Sequence, residues 1–154
     1  MNSATQVANL NASLLGGIGP AGFVQGGGHV VTAEVELTVG QQATLFTLPG
    51  YGTFSVTCLN VPFAEVDFTV GPHNIHLWTQ DITGTSPAAA EQDMTPGSGL
   101  GLQTGVTAEQ TQWTIQDASS PSLSSHLATV QTDEAVNGNN TSKCDFAAEA
   151  YAAP

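Results

Sequence analysis

With 13 carboxylates and a single Lys or Arg in 154 residues, the chain carries a formal net charge of −12. A polyanionic partner must be met by cationic side chains that release its counterions, so nucleic acid and an anionic membrane surface are both excluded. The length fits one domain, and with only 9% charged residues the polarity comes from Thr, Ser, Gln, Asn and Gly, a composition that suits strands and turns.

Residues 1–28 differ from the rest. Gly16-Gly17, Gly19-Pro20 and Gly26-Gly27-Gly28 break any long helix, and no alternation supports a strand, so this stretch reads as a Gly-rich tether or stalk-like segment. Its opening, Met1-Asn2-Ser3-Ala4-Thr5, lacks the basic region and long apolar stretch of a signal peptide, as expected of a mature chain carrying an added Met. Two sequons, Asn11-Ala12-Ser13 and Asn139-Asn140-Thr141, matter only in a glycosylating host.

The body, residues 29–154, is expected to form one β-sandwich domain. Val31, Ala33, Val35, Leu37 and Val39 alternate with polar residues and predict a half-buried first strand. A second, Ala43 to Leu48, stops at Pro49-Gly50, where proline presets one dihedral and glycine accepts a positive φ. Phe54, Val56 and Cys58 share one face of a third strand, and Ala64, Val66, Phe68 and Val70 one face of a fourth. A fifth runs from Asn74 to Gln80. Asp81 to Gly101 is rich in Ser, Thr, Pro, Ala and Gly and reads as a loop. Further strands are expected around Glu109–Ile115, Leu123–Thr132 and Ser142–Ala152, with Asp133 to Asn140 as a loop whose Asn137-Gly138 is a hairpin signal. About eight short strands separated by turn signals predict an antiparallel β-sandwich or jelly roll.

Cys58 and Cys144 have neither CxxC spacing nor a matching His cluster, which leaves a disulfide or two buried thiols. Both lie on the inward faces of their strands, and the Ser/Thr/Asn-rich, Lys-poor composition looks extracellular, so the disulfide is the favoured reading. Localisation is accordingly expected to be secreted or at an extracellular surface.

Candidate chemistry is sparse. Glu65 and Asp67 share a strand face at about 6.6 Å along the strand, a separation used by glycoside hydrolases, but Glu34 and Glu36 repeat the pattern with no chemistry implied. His29, His73, His76 and His126 lack any HExxH or GxSxG context and read as surface or backbone-satisfied histidines. No cofactor is expected. Calcium is the better metal candidate, with Glu91, Asp93, Asp133, Glu134, Asn137 and Asn139 as oxygen donors in loops. Gly97-Ser98-Gly99-Leu100-Gly101 lacks the Lys and helix of a phosphate cradle. Tyr51, Trp78, Trp113 and Tyr151 could stack on sugar rings if exposed together, although tryptophans in such a domain more often serve the core.

Two parts of the chain resemble known proteins. Asn9-Leu10-Asn11-Ala12-Ser13-Leu14-Leu15-Gly16-Gly17 and Gly22-Phe23 resemble a short peptide of phage tail fibres and bacterial surface proteins, where it precedes or decorates trimeric stalks. The body, through Leu48-Pro49-Gly50-Tyr51-Gly52-Thr53-Phe54-Ser55-Val56-Thr57-Cys58 and Cys144-Asp145-Phe146, resembles uncharacterised secreted β-sandwich proteins of actinobacteria. That resemblance implies compartment and β fold and transfers no functional residue.

The residues point to a non-enzymatic secreted or surface-displayed domain for structure or adhesion, with a homotrimer suggested by analogy and a glycan or surface protein as partner. The alternatives are a carbohydrate- or calcium-dependent binding module and a polysaccharide hydrolase using Glu65 and Asp67.

Overall fold

The computed structural model describes residues 29–60, 63–82, 89–104, 108–118, 127–136 and 142–152. The stalk-like segment 1–28, both sequons, His126 and Asn137-Gly138 lie outside them. Ten strands make up the described fold: β1 (His29–Thr38), β2 (Gln42–Leu48), β3 (Gly52–Cys58), β4 (Ala64–Val70), β5 (Ile75–Asp81), β6 (Ala89–Met94), β7 (Gly99–Thr104), β8 (Ala108–Asp117), β9 (Leu127–Val136) and β10 (Lys143–Ala152). They form two antiparallel sheets, one of six strands in the order β1-β10-β9-β8-β5-β6 and one of four in the order β2-β3-β4-β7. This is the expected all-β sandwich.

Period-two burial builds it. Phe54, Val56 and Cys58 of β3 and Ala64, Val66, Phe68 and Val70 of β4 are all buried, and they meet Trp113, Ile115, Val130, Phe146 and Ala148 of the six-stranded sheet in one core. Phe46, Phe54 and Phe68 lie side by side across β2, β3 and β4, with ring centroids 4.9 and 4.7 Å apart. Trp113 comes down from β8 edge-on to Phe54 at 5.3 Å, and its indole N–H donates to Thr132 Oγ1 at 3.0 Å. A tryptophan can be fully buried only if that N–H finds an acceptor, and the β9 threonine supplies it.

One irregularity reconciles two conflicting alternations in β2. Ala43 and Phe46 both face the core, which strict alternation forbids; a bulge between Thr44 and Phe46 inserts Leu45 and resets the parity. The Pro49-Gly50 turn forms as read: Tyr51 N donates to Leu48 O at 3.1 Å, and Gly50 has φ 84°.

The disulfide joins Cys58 at the end of β3 to Cys144 near the start of β10, with a Cα–Cα distance of 5.6 Å. It ties one sheet to the other across 86 residues of chain. Such a bond fits an oxidising, extracellular-type environment. Among the described residues no helix is long and apolar enough to cross a membrane.

Two stretches depart from the sequence reading. The segment Asp81 to Gly101 is not simply a loop, since it contributes β6 and the start of β7, each an edge strand. Their sequences, AAEQDM and GLGLQT, hold few β-branched or aromatic residues, so pairing to β5 and β4 rather than local preference makes them strands. Asp133 to Val136 also belongs to a strand, because β9 is paired on both sides, by β8 and by β10, along that length.

Candidate functional site

The outer face of the six-stranded sheet is set by register. Trp78 of β5 pairs with Thr114 of β8, Thr114 with Thr129 of β9, and Thr129 with Tyr151 of β10, forming one row across the strands. The next row, two residues along each strand, is Gln80, Gln112, Gln131 and Glu149. Alternation turns all eight side chains away from the core, since their strand neighbours Leu77, Trp113, Val130 and Ala150 are buried.

Depressions mark both ends of these rows. One of about 410 Å3 is lined by Trp78, Gln80, Glu91, Gln112 and Thr114. Another of about 330 Å3 is lined by Val30, Thr32, Thr129, Gln131, Glu149 and Tyr151. Tyr151 is 45% exposed, and Trp78 is half-buried. The Trp78 ring lies 6.0 Å from the His76 ring, and His76 Nδ1 pairs with Asp93 Oδ1 on β6. The indole is thus flanked by a braced neighbour.

The four aromatics named from the sequence divide into two pairs. Trp78 and Tyr151 share the outer face. Trp113 is 0% exposed and Tyr51 5% exposed, and both belong to the core, where neither can stack on a ligand. Burial, followed by the charge of Asp117, raises the Tyr51 hydroxyl above its usual pKa. Sequence inspection missed the glutamine and threonine rows, because only strand register brings Gln80, Gln112 and Gln131 together.

The calcium donors do not converge. Glu91 and Asp93 lie on β6, whereas Asp133 and Glu134 lie on β9, three strands away and on opposite faces of it; all four are strand residues rather than loop residues. Asn137 and Asn139 lie outside the described residues. Among the described residues no group of three His, Cys, Asp or Glu side chains is arranged to hold a metal ion.

Glu65 and Asp67 do come together, on the outer face of the other sheet. A Cβ built on Gly101 of β7 would lie 2.5 Å from Glu65 Oε1 and 2.7 Å from Asp67 Oδ1, so both carboxylates lean over that glycine. Burial and then the Glu65 charge raise the Asp67 carboxyl above its ordinary pKa.

Glu134, read from the sequence only as an oxygen donor in a loop, instead lies on the inward face of β9 and is 3% exposed. Its Oε2 has no hydrogen-bond partner among the described residues. Burial, then the charges of Glu109 and Glu65, push its pKa up from 4.5 to about 8. Between these values the folded chain keeps a proton that the unfolded chain releases. Stability therefore falls as pH rises through that window, and the loss is complete above about pH 8. Glu134→Gln removes the titration. Its melting temperature is expected to exceed the native value by several degrees at about pH 9 and to match it near pH 4, as read by calorimetry across pH.

Compared with family models, curated proteins and solved structures, the chain matches none of them.

Proposed function

We propose that this chain is a non-enzymatic domain that works by adhesion outside the cytoplasm, presenting the outer face of its six-stranded sheet to a partner. The observation that carries this reading is the presence, on one largely polar face, of two accessible aromatic rings with depressions around each, the one at Tyr151 also lined by the exposed Val30. Solvated sheet faces need no tryptophan, and aromatic rings set among hydrogen-bonding groups are the usual anchors of recognition. The internal Cys58–Cys144 disulfide supports a site of action in an oxidising, extracellular-type compartment.

Blocking that face tests the reading. Gln112→Arg with Gln131→Arg is expected to abolish attachment of the folded protein to cell surfaces or insoluble polysaccharide. Ser55→Arg with Thr53→Arg, on the opposite sheet, is expected to leave attachment intact. Equal attachment by both double variants would overturn the proposal.

A second reading, polysaccharide hydrolysis, is favoured by the convergence of Glu65 and Asp67 over Gly101, one carboxyl with a raised pKa beside another, as general acid chemistry requires. That pair lies on the opposite outer face from Trp78 and Tyr151, so a sugar stacked on those rings cannot reach it. Full retention of any reducing-end release in Glu65→Gln would end this reading.

A further inference from the structure

We propose that the band between Trp78 and Tyr151 is a binding site for a linear, uncharged oligosaccharide, with the two rings as stacking platforms at its ends. The inference rests on the adhesion reading above and gives it a ligand class.

Size comes first. Trp78 and Tyr151 are separated by the steps from β5 to β8, β8 to β9 and β9 to β10, a distance of about 14 Å at the usual strand spacing, or about three pyranose repeats, so that a chain stacked on both rings has about four linked units. The two rings stand in one cross-strand row, so a straight chain laid perpendicular to the strands meets both. Each depression holds one aromatic and the polar groups beside it, Gln80, Gln112 and Thr114 at one end and Gln131, Thr129 and Glu149 at the other.

Chemistry comes second. A pyranose offers an apolar C–H face and a rim of hydroxyls that both donate and accept. Trp78 and Tyr151 match the face; Gln amides and Thr hydroxyls, each donor and acceptor at once, match the rim. Glu91 and Glu149 can each accept from adjacent hydroxyl pairs. The same carboxylates, with no cation in the band, turn away uronate and sulfated chains. Lys143 is the single cation of the sequence, and it is paired with Glu36 on the β1 side of the sheet, beyond the band. A basic peptide is the poorer fit, because the centre of the band is neutral. The contact of His76 with Trp78 and its pairing with Asp93 hold the indole platform in advance, lowering the ordering cost of binding.

The test is calorimetric titration of the whole chain with uncharged oligosaccharides of roughly two to six units (cello-, xylo-, manno- and chito-series), with oligogalacturonate as the anionic probe. In at least one uncharged series, affinity is expected to rise up to about four units and then level off. Trp78→Ala and Tyr151→Ala are each expected to weaken binding by about tenfold or more, with unchanged circular dichroism. Tyr151→Phe keeps the platform and is expected to bind nearly as the native chain does, and oligogalacturonate is expected not to bind. Sugar binding that both alanine variants leave intact would overturn this site while sparing adhesion through another surface. Silence across all uncharged series would overturn the ligand class, and the arginine double variants then decide separately whether the face is used at all. Tighter binding of oligogalacturonate than of the uncharged series would also overturn the proposal.

Discussion

Removing the Cys58–Cys144 bond, by reduction or in a Cys58→Ala/Cys144→Ala variant, is expected to lower stability by about 4 kcal/mol. The bond closes a loop spanning 86 residues, most of the described fold, so the entropy it removes from the unfolded chain is near the upper end for a domain of this size. Both sulfurs are fully buried where the sheets meet, so reduction also leaves two thiols in the core without opening a large cavity. For a domain of this length the loss corresponds to a fall in melting temperature of roughly 10–20 °C. The folded sheets persist, because the core of Phe54, Phe68, Trp113 and Phe146 does not depend on the bond for its contacts. Thermal unfolding with and without reductant, followed by circular dichroism, reads the effect. Equal melting temperatures would show that the bond does not constrain the unfolded chain.

Trp113→Ala is expected to cost about 3–5 kcal/mol, the range for truncating a buried large aromatic. The indole is the largest fully buried side chain and joins the sheets through its edge-on contact with Phe54. Its loss opens a cavity that close-packed strands on both sides cannot fill. Thr132 loses the indole N–H but still donates to the Thr111 carbonyl at 3.5 Å, so the cavity and not an orphaned hydroxyl dominates the cost. Trp113→Phe retains part of the Phe54 contact and is expected to lose less than Trp113→Ala. Urea unfolding gives both values. A Trp113→Ala loss below about 1 kcal/mol would contradict the assignment of this residue to the core.

Much of the fold was legible because most of its strands alternate cleanly. Ala64 to Val70 reads buried-exposed from the letters alone, and the inward parity of Cys58 and Cys144 anticipated their bond. Where local preference is weak, the sequence was silent. Ala89 to Met94 becomes a strand only because β5 offers it an edge, yet Pro96-Gly97, which repeats the chemistry of Pro49-Gly50, was a usable sign of a turn there. That turn forms, with Ser98 N donating to Thr95 O at 3.0 Å and Gly97 at φ 79°.

The candidate site was less legible. Four aromatics were visible as letters, but which two face outward depends on strand parity, and that Trp78 and Tyr151 share a row depends on an order, β5-β8-β9-β10, that no local pattern encodes. Gln80, Gln112 and Gln131 are far apart in sequence and adjacent only through register. The buried carboxyl of Glu134 escaped notice for a similar reason: it looked like a loop donor beside Asp133, and continued pairing of β9 turns it inward.

The recognition role of the outer face is tested most directly by nuclear magnetic resonance of the labelled chain during titration with the tightest-binding uncharged oligosaccharide. The expected result is a continuous patch of shifted signals that includes the Trp78 indole N–H and the Gln80, Gln112 and Gln131 side-chain amides and reaches Tyr151. Shifts centred on Glu65, Asp67 and Gly101, or none above the noise at saturating sugar, would contradict it.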